Sequence, residues 1–142
     1  MIMTEACCVG ITKRFGVLIW RPMEKIKLFE DFYTKEVKDF FNDGINPTMY
    51  WAYRKSCDAE NDILDFNDVI WENDIQPIVD TCNKVGINEF TISSNFAGLL
   101  KTMYEFSKRG FNVVGVTEVR ANYMDFYKQD KAMVPAVHIR KT

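Results

Sequence analysis

Several residue types on which common protein classes depend are scarce in this chain. It has 142 residues, with one histidine, 7 glycines and 4 prolines. Its longest wholly apolar run, FGVLIW at residues 15–20, has six residues, whereas a transmembrane helix needs about 20. The run is also shorter than the h-region of a secretory signal, and no small-residue cleavage site follows it. We therefore expect neither a membrane span nor a secretory leader.

The cysteines do not have the spacing of a metal site. Cys7, Cys8, Cys57 and Cys82 form no C-x-x-C pair, and with one histidine a zinc site would need ligands from distant segments. A small buried hydrophobe is the commoner role for such residues. We expect structural or incidental cysteines without a metal or a disulfide, no cofactor, and a reducing cytoplasmic compartment.

The composition favours one folded domain. Apolar residues make up 47% of the chain, enough for a real core at this length. Residues 1–22 have no helical period and precede a start-like Met23. They are interpreted either as an extension foreign to the fold or as a β-strand, because residues 17–20 are good strand formers. We favour the extension, so that residues 23–142 form a single domain.

The hydrophobic pattern predicts three helices in the first part of that domain. A stripe of Leu28, Phe29, Phe32, Tyr33, Phe40 and Phe41 predicts an amphipathic helix over residues 24–42, ended by Gly44. Asn46 and Pro47 are typical of an N-cap and first helical position, which predicts a helix over residues 48–56. A third helix is predicted over residues 65–84, kinked or restarted at Pro77 and closed by Gly86.

The second part predicts a small mixed sheet. EFTI at residues 89–92 and FNVVGVTEV at residues 111–119 are β-prone, with a helix predicted over residues 96–109 between them. Such a crossover pairs its two strands in parallel. A last strand over residues 133–140 then returns antiparallel. The predicted fold is α+β, with three N-terminal helices on a mixed sheet that contains one βαβ crossover.

Charge is unevenly distributed along the chain. Residues 56–100 hold one lysine and nine acidic residues, and residues 56–83, here called the acidic block, hold no basic residue. The EF-hand template fails from Asp58, because Ile63 and Val69 occupy positions 6 and 12. A solvated helix face and a docking surface for a basic protein remain as interpretations. The candidate partner-binding residues are Asp58, Glu60, Asp62, Asp65, Asp68, Glu72 and Asp74.

Two further sites have functional interpretations. The C-terminal part interleaves basic residues (Lys101, Lys108, Arg109, Arg120, Lys128, Lys131, Arg140, Lys141) with aromatic ones (Tyr104, Tyr123, Phe126, Tyr127), which suits single-stranded nucleic acid. The turn of Ser93, Ser94 and Asn95 is predicted to cap the following helix, and it is a candidate anion or ligand site. No glycine-rich loop precedes it, and His138 is the one histidine that could serve as a base.

Residues 86–123, GINEFTISSNFAGLLKTMYEFSKRGFNVVGVTEVRANY, resemble a small protein family carried on mobile elements and phages of gut Firmicutes. The segment that begins MEKIKLFEDF is similar as well, so the resemblance covers roughly residues 23–142. It implies a bacterial, cytoplasmic origin and an accessory role, without an assigned activity.

These observations favour a non-enzymatic accessory protein that binds a basic protein partner through the acidic block. One alternative is a nucleic-acid-binding accessory protein that uses the basic, aromatic C-terminal part. A small enzyme with its site at Ser93, Ser94 and Asn95 is the less favoured alternative.

Overall fold

A computed structural model describes residues 9–14, 17–22, 25–32, 46–125 and 130–142. Near the N-terminus, β1 (Val9–Arg14) and β2 (Val17–Pro22) pair antiparallel as a separate two-stranded sheet. The strand interpretation of residues 17–20 therefore matches the backbone. Whether residues 1–22 are foreign to the domain stays a prediction.

The first two helices begin close to the predicted positions, α1 three residues later and α2 one residue earlier than the pattern indicates. α1 (Lys27–Phe32) lies within the predicted amphipathic helix, whose remainder, with Tyr33, Phe40, Phe41 and Gly44, falls outside the described residues. α2 (Pro47–Asp58) is capped by Asn46, whose side-chain oxygen accepts a hydrogen bond of 2.9 Å from the Met49 N–H. Pro47 occupies the first turn, where a missing N–H costs nothing. The predicted cap of α2 is confirmed.

The helix predicted over residues 65–84 is wrong in its first half. Asp65–Phe66 form a short strand, β3, parallel to residues 91 and 92 of the next strand. A 3-10 turn (Glu72–Asp74) follows, and α3 (Ile75–Val85) begins only then. Pro77 therefore lies in the first turn of α3, which is the restart that the sequence allowed. Gly86 ends the helix at φ +83°, a left-handed conformation that favours glycine.

The remaining elements complete a four-stranded sheet. They are β4 (Glu89–Ile92), α4 (Leu99–Ser107), β5 (Phe111–Asp125) and β6 (Asp130–Lys141). The strand order is β3-β4-β6-β5, with β6 antiparallel to both of its neighbours. The predicted α+β fold and its mixed sheet are confirmed. The expected pairing of β4 with β5 is wrong, because β6 lies between them, and the parallel neighbour of β4 is β3.

The core is centred on Phe90 of β4. Its ring centroid lies 5.2 Å from that of Phe66, 5.1 Å from that of Phe106 and 5.8 Å from that of Phe111. All four rings are buried, and aromatic pairs at such separations add to the stabilisation from buried area. Phe90 thus joins β3, α4 and β5.

The described cysteines differ in state. Cys82 of α3 is buried and free, and burial raises the pKa of its thiol to about 12. Cys57 of α2 is buried and disulfide-bonded, so the expectation of no disulfide is wrong for that residue. Within the described ranges, no helix combines the length and the apolar character that crossing a membrane requires.

Candidate functional site

The seven predicted partner-binding acids do not lie on one surface. Asp65 is 4% exposed, and its carboxylate accepts hydrogen bonds of 2.6 Å from the hydroxyls of Thr91 and Ser93. Burial raises the pKa of Asp65, while the hydrogen bonds from Ser93 and Thr91 lower it in part. Asp65 therefore belongs to the interior, and its prediction as a partner-binding residue is wrong.

The folded chain pairs much of the acidic block with its own basic residues. Three ion pairs join Lys55 to Asp68, Lys101 to Glu72 and Arg120 to Glu60, at 3.3, 3.5 and 3.6 Å. Lys131 Nζ also donates to the Asp58 carbonyl at 3.1 Å, whereas the side chain of Asp62 is exposed. The charge separation along the sequence is thus partly neutralised in space.

Basic residues of the C-terminal part also form ion pairs and hydrogen bonds within the chain. Lys108 and Arg109 each pair with Glu105 at 2.9 Å, and Arg140 lies 3.7 Å from Glu89. Lys141 Nζ donates to the side-chain oxygen of Asn83 at 2.7 Å. His138 Nε2 also contacts Glu89, at 2.7 Å. Lys128, Phe126 and Tyr127 fall outside the described residues.

Ser93 and Ser94 are not the helix caps that the sequence predicts. α4 begins at Leu99 with Gly98 at the N-cap and no side-chain cap. Ser93 donates to the Asp65 carboxylate and Ser94 donates to the Asp68 carbonyl at 2.8 Å. Both hydroxyls therefore hold the end of β3 and the loop after it, and Asn95 is exposed beside them. The Asp65 carboxylate next to Ser93 is an unfavourable neighbour for an anion.

A groove opens at the carboxyl end of β3, between α2 and residues 67–71. It encloses about 450 Å³ and is called here the two-tryptophan groove. Trp51 of α2 is 50% exposed and Trp71 is 66% exposed. The lining of the groove consists of Pro47, Thr48, Trp51, Ala52, Lys55, Phe66, Asn67, Asp68, Val69 and Trp71. The hydrophobic pattern did not single out this site, because two tryptophans 20 positions apart give no periodic signal.

Asp74 links the two chain segments that carry the tryptophans. Its carboxylate accepts hydrogen bonds from Asn46 Nδ2 at 3.0 Å and from Thr48 Oγ1 at 2.8 Å. It also accepts one from the Trp71 backbone N–H at 3.2 Å. Asp74 thereby ties Trp71, the N-cap of the 3-10 turn, to the start of the helix that carries Trp51.

Asp68 provides the charged end of the groove. Its pKa is lowered by a hydrogen bond from the Val69 backbone N–H and by Lys55, so the carboxylate is ionised at neutral pH. Its loop is held by Ser94, which therefore contributes to the groove although it caps no helix. The described lining contains no histidine, cysteine or serine. The groove presents two indole side chains, the Lys55 ammonium and the Asp68 carboxylate to a ligand.

Comparison with known proteins supplies a family without an activity. A family model described as a domain of unknown function (DUF7698) matches residues 48–141. That range includes the whole four-stranded sheet and, except for Pro47, all of α2 and of the groove lining. No curated protein and no solved structure matches the chain.

Proposed function

We propose that this chain, which belongs to the DUF7698 family of domains of unknown function, is a non-enzymatic binding protein for a protein partner. The partner contributes a segment with basic and apolar side chains, which occupies the two-tryptophan groove. Asp68 and Glu72, which belong to the acidic block, recognise the basic side chains of that segment.

The observation that carries this proposal is the exposure of both Trp51 and Trp71 in the lining of one groove. Tryptophan is enriched among the residues that dominate binding energy at protein interfaces, where it packs into desolvated pockets. Asp74 links the backbone N–H of Trp71 to the first turn of α2, the helix that carries Trp51. Because these two segments are already joined, their backbones need little ordering when a partner binds.

The charges beside the groove support a basic partner. Asp68 and Glu72 are 75% and 73% exposed, and each pairs with a lysine of the same chain. An exposed ion pair contributes about 0–1 kcal/mol, so an incoming arginine can replace Lys55 or Lys101 at small cost. An arginine side chain also packs favourably over an indole face.

The bacterial, accessory and cytoplasmic aspects of the function belong to the same proposal. They rest on the resemblance of residues 86–123 to a family of mobile elements and phages of gut Firmicutes. Most of the range of that resemblance lies inside residues 48–141, which the family model matches.

Defined peptides test the groove directly. An Arg-Leu-Arg-Leu peptide and its Glu-Leu-Glu-Leu counterpart are titrated into the labelled protein, and the indole N–H resonances are followed by NMR. The basic peptide should shift the resonances of Trp51 and Trp71, and the acidic one should leave them in place. Equal shifts with both peptides, or none with either, would contradict recognition of a basic segment.

Capture from host lysate tests the natural partner. The wild type and Leu100→Ala should retain the same protein, whereas Trp51→Ala and Trp71→Ala should lose it. Leu100 is the matched control because it is an exposed apolar residue on α4 that does not line the groove. Capture that nuclease abolishes would favour the nucleic-acid alternative, and equal capture by all four proteins would exclude the groove.

A further inference from the structure

The outer edge of β5 is blocked at one residue by a side chain. Asn61 Oδ1 accepts a hydrogen bond from the Arg120 backbone N–H, and Asn61 Nδ2 donates to the Arg120 carbonyl, both at 2.9 Å. Arg120 therefore directs both of its backbone groups away from β6. In an antiparallel strand this orientation alternates along the chain. Because the register with β6 is unbroken from Gly115 to Arg120, Val116 and Glu118 also direct their backbone groups outward.

The other open edges of the sheet are protected. Ser56 Oγ accepts a hydrogen bond from the Asp65 N–H at 2.8 Å and donates to its carbonyl at 3.2 Å, which covers the edge of β3. Pro135 lies opposite Glu118, where β6 extends past the last partner in β4. Because proline has no backbone N–H, Pro135 offers no hydrogen-bond donor on that open side. Proteins use such devices to prevent unwanted strand pairing.

Residues 115–118 of β5 lack this protection. Residues 113–117 carry no charge and no proline, and Val113, Val114 and Val116 are 45%, 48% and 76% exposed. Within the part of the chain that the structure describes, no side chain bonds to the outward groups of Val116 and Glu118. A strand edge of this kind is a surface for adding another strand.

We propose that this edge pairs with the same edge of a second copy, antiparallel about a two-fold axis at Thr117. Pairing is limited on one side by Val114, which is bulged between Val113 and Gly115, and on the other by Arg120, which Asn61 occupies. Both limits lie three positions from Thr117. With Thr117 opposite itself, the bulge of one copy falls opposite the occupied Arg120 of the other.

This register also matches the backbone groups. Val116 of one copy lies opposite Glu118 of the other, so the outward N–H and carbonyl groups of each face those of its mate. A contact in which the same patch serves both subunits is the common form of homodimer interface. The two sheets then form one continuous sheet of eight strands. The open stretch is self-complementary about Thr117, which favours a second copy over an unrelated strand.

Charge changes at Val116 test whether a second copy pairs at this edge and whether it does so in this register. Association is measured by sedimentation velocity of the full chain across the micromolar range. Val116→Glu places like charges opposite each other twice in the dimer and should raise the dimer dissociation constant by about tenfold. Val116→Lys places lysine opposite Glu118 of the second copy and should keep or lower that constant. The double variant Val116→Glu/Glu118→Lys should recover the association. Melting curves check that each variant is folded.

Amide exchange gives a second readout. The Val116 and Glu118 N–H groups should exchange more slowly as the concentration rises, whereas the Thr117 N–H, which faces β6, should change little. A wild type that remains monomeric throughout would overturn the proposal. Equal weakening by Val116→Glu and Val116→Lys, or association unaffected by every variant, would also overturn it, because neither result fits this register.

Discussion

The hydroxyl of Thr91 donates a hydrogen bond of 2.6 Å to the carboxylate of Asp65, its partner across the β3–β4 ladder. β3 has only two residues, so this link between side chains supplements a very short ladder. Asp65 is buried, and the side chain that holds the strand in place is therefore a carboxylate withdrawn from water. This arrangement makes the stability of the domain sensitive to pH.

Replacing Asp65 with asparagine should remove that sensitivity. Burial raises the folded-state pKa of Asp65 above its ordinary value of 3.8, so the folded state favours the protonated form. The stabilisation from protonation is fully present below the unfolded pKa and is lost as the pH rises through the folded pKa. We expect the free energy of unfolding of the wild type, relative to Asp65→Asn, to increase as the pH falls from neutral toward 4, about the ordinary value for aspartate.

Urea unfolding at a series of pH values measures this difference. Asp62→Asn changes an exposed carboxylate and should leave the pH dependence like that of the wild type. A difference between wild type and Asp65→Asn that is constant with pH, or that decreases on acidification, would contradict the expectation.

Loss of the Phe90 ring should be far more costly than loss of an exposed apolar side chain. Phe90 contacts the rings of Phe66, Phe106 and Phe111 in the core, and truncation of such a residue to alanine costs about 3–5 kcal/mol. Leu100→Ala at an exposed site should stay within about 0.5 kcal/mol of the wild type. Chemical denaturation of both variants tests the pair, and a cost for Phe90→Ala similar to that for Leu100→Ala would show that the core is centred elsewhere.

Asn61 should contribute to stability although it lies in a loop. Replacing it with alanine leaves the backbone N–H and carbonyl of Arg120 without their side-chain partner. An unsatisfied group of this kind costs about 1–3 kcal/mol. The exposed Asn95→Ala variant serves as the control in thermal unfolding. Equal melting temperatures for the two variants would count against a role for Asn61 at the strand edge.

Asp74→Ala should loosen the two-tryptophan groove. The change removes the acceptor shared by Asn46, Thr48 and the Trp71 N–H, and we expect a loss of about 1–3 kcal/mol. The indole resonances of Trp51 and Trp71 should move or broaden in NMR spectra. Asp80→Ala, at an exposed position of α3, should leave both resonances in place. Unmoved resonances in Asp74→Ala would mean that other contacts hold the groove.

The sequence could predict the features that depend on local chemistry. The Asn46 cap, the closing Gly86 and strand β4 each follow from a few neighbouring residues, and the structure contains all three. β3 could not be read in the same way, because Phe66, Val69 and Ile70 have the spacing of a helix face. Its strand state depends on pairing with β4, which lies more than 20 positions later.

The candidate site was less accessible to sequence reasoning for a related physical reason. A run of acids shows the charge of a segment but does not show which basic residues fold against it, as Lys101 does with Glu72. Likewise, Ser94 has the sequence position of a helix cap, yet its hydroxyl bonds to the Asp68 carbonyl. Both contacts join residues that only the tertiary fold brings together.

The position of β6 has a consequence for the order in which the chain acquires its structure. β6 is synthesised after the other three strands of its sheet, yet it lies between β4 and β5 and is the direct neighbour of both. Until residues 130–141 have left the ribosome, β4 and β5 have no shared strand to pair with. The earlier elements can collapse during translation, but completion of the sheet is a late event that requires insertion of a central strand. A nascent chain halted before β6 would therefore expose the edges of β4 and β5 that β6 later covers. Unpaired strand edges of this kind bind chaperones and promote aggregation.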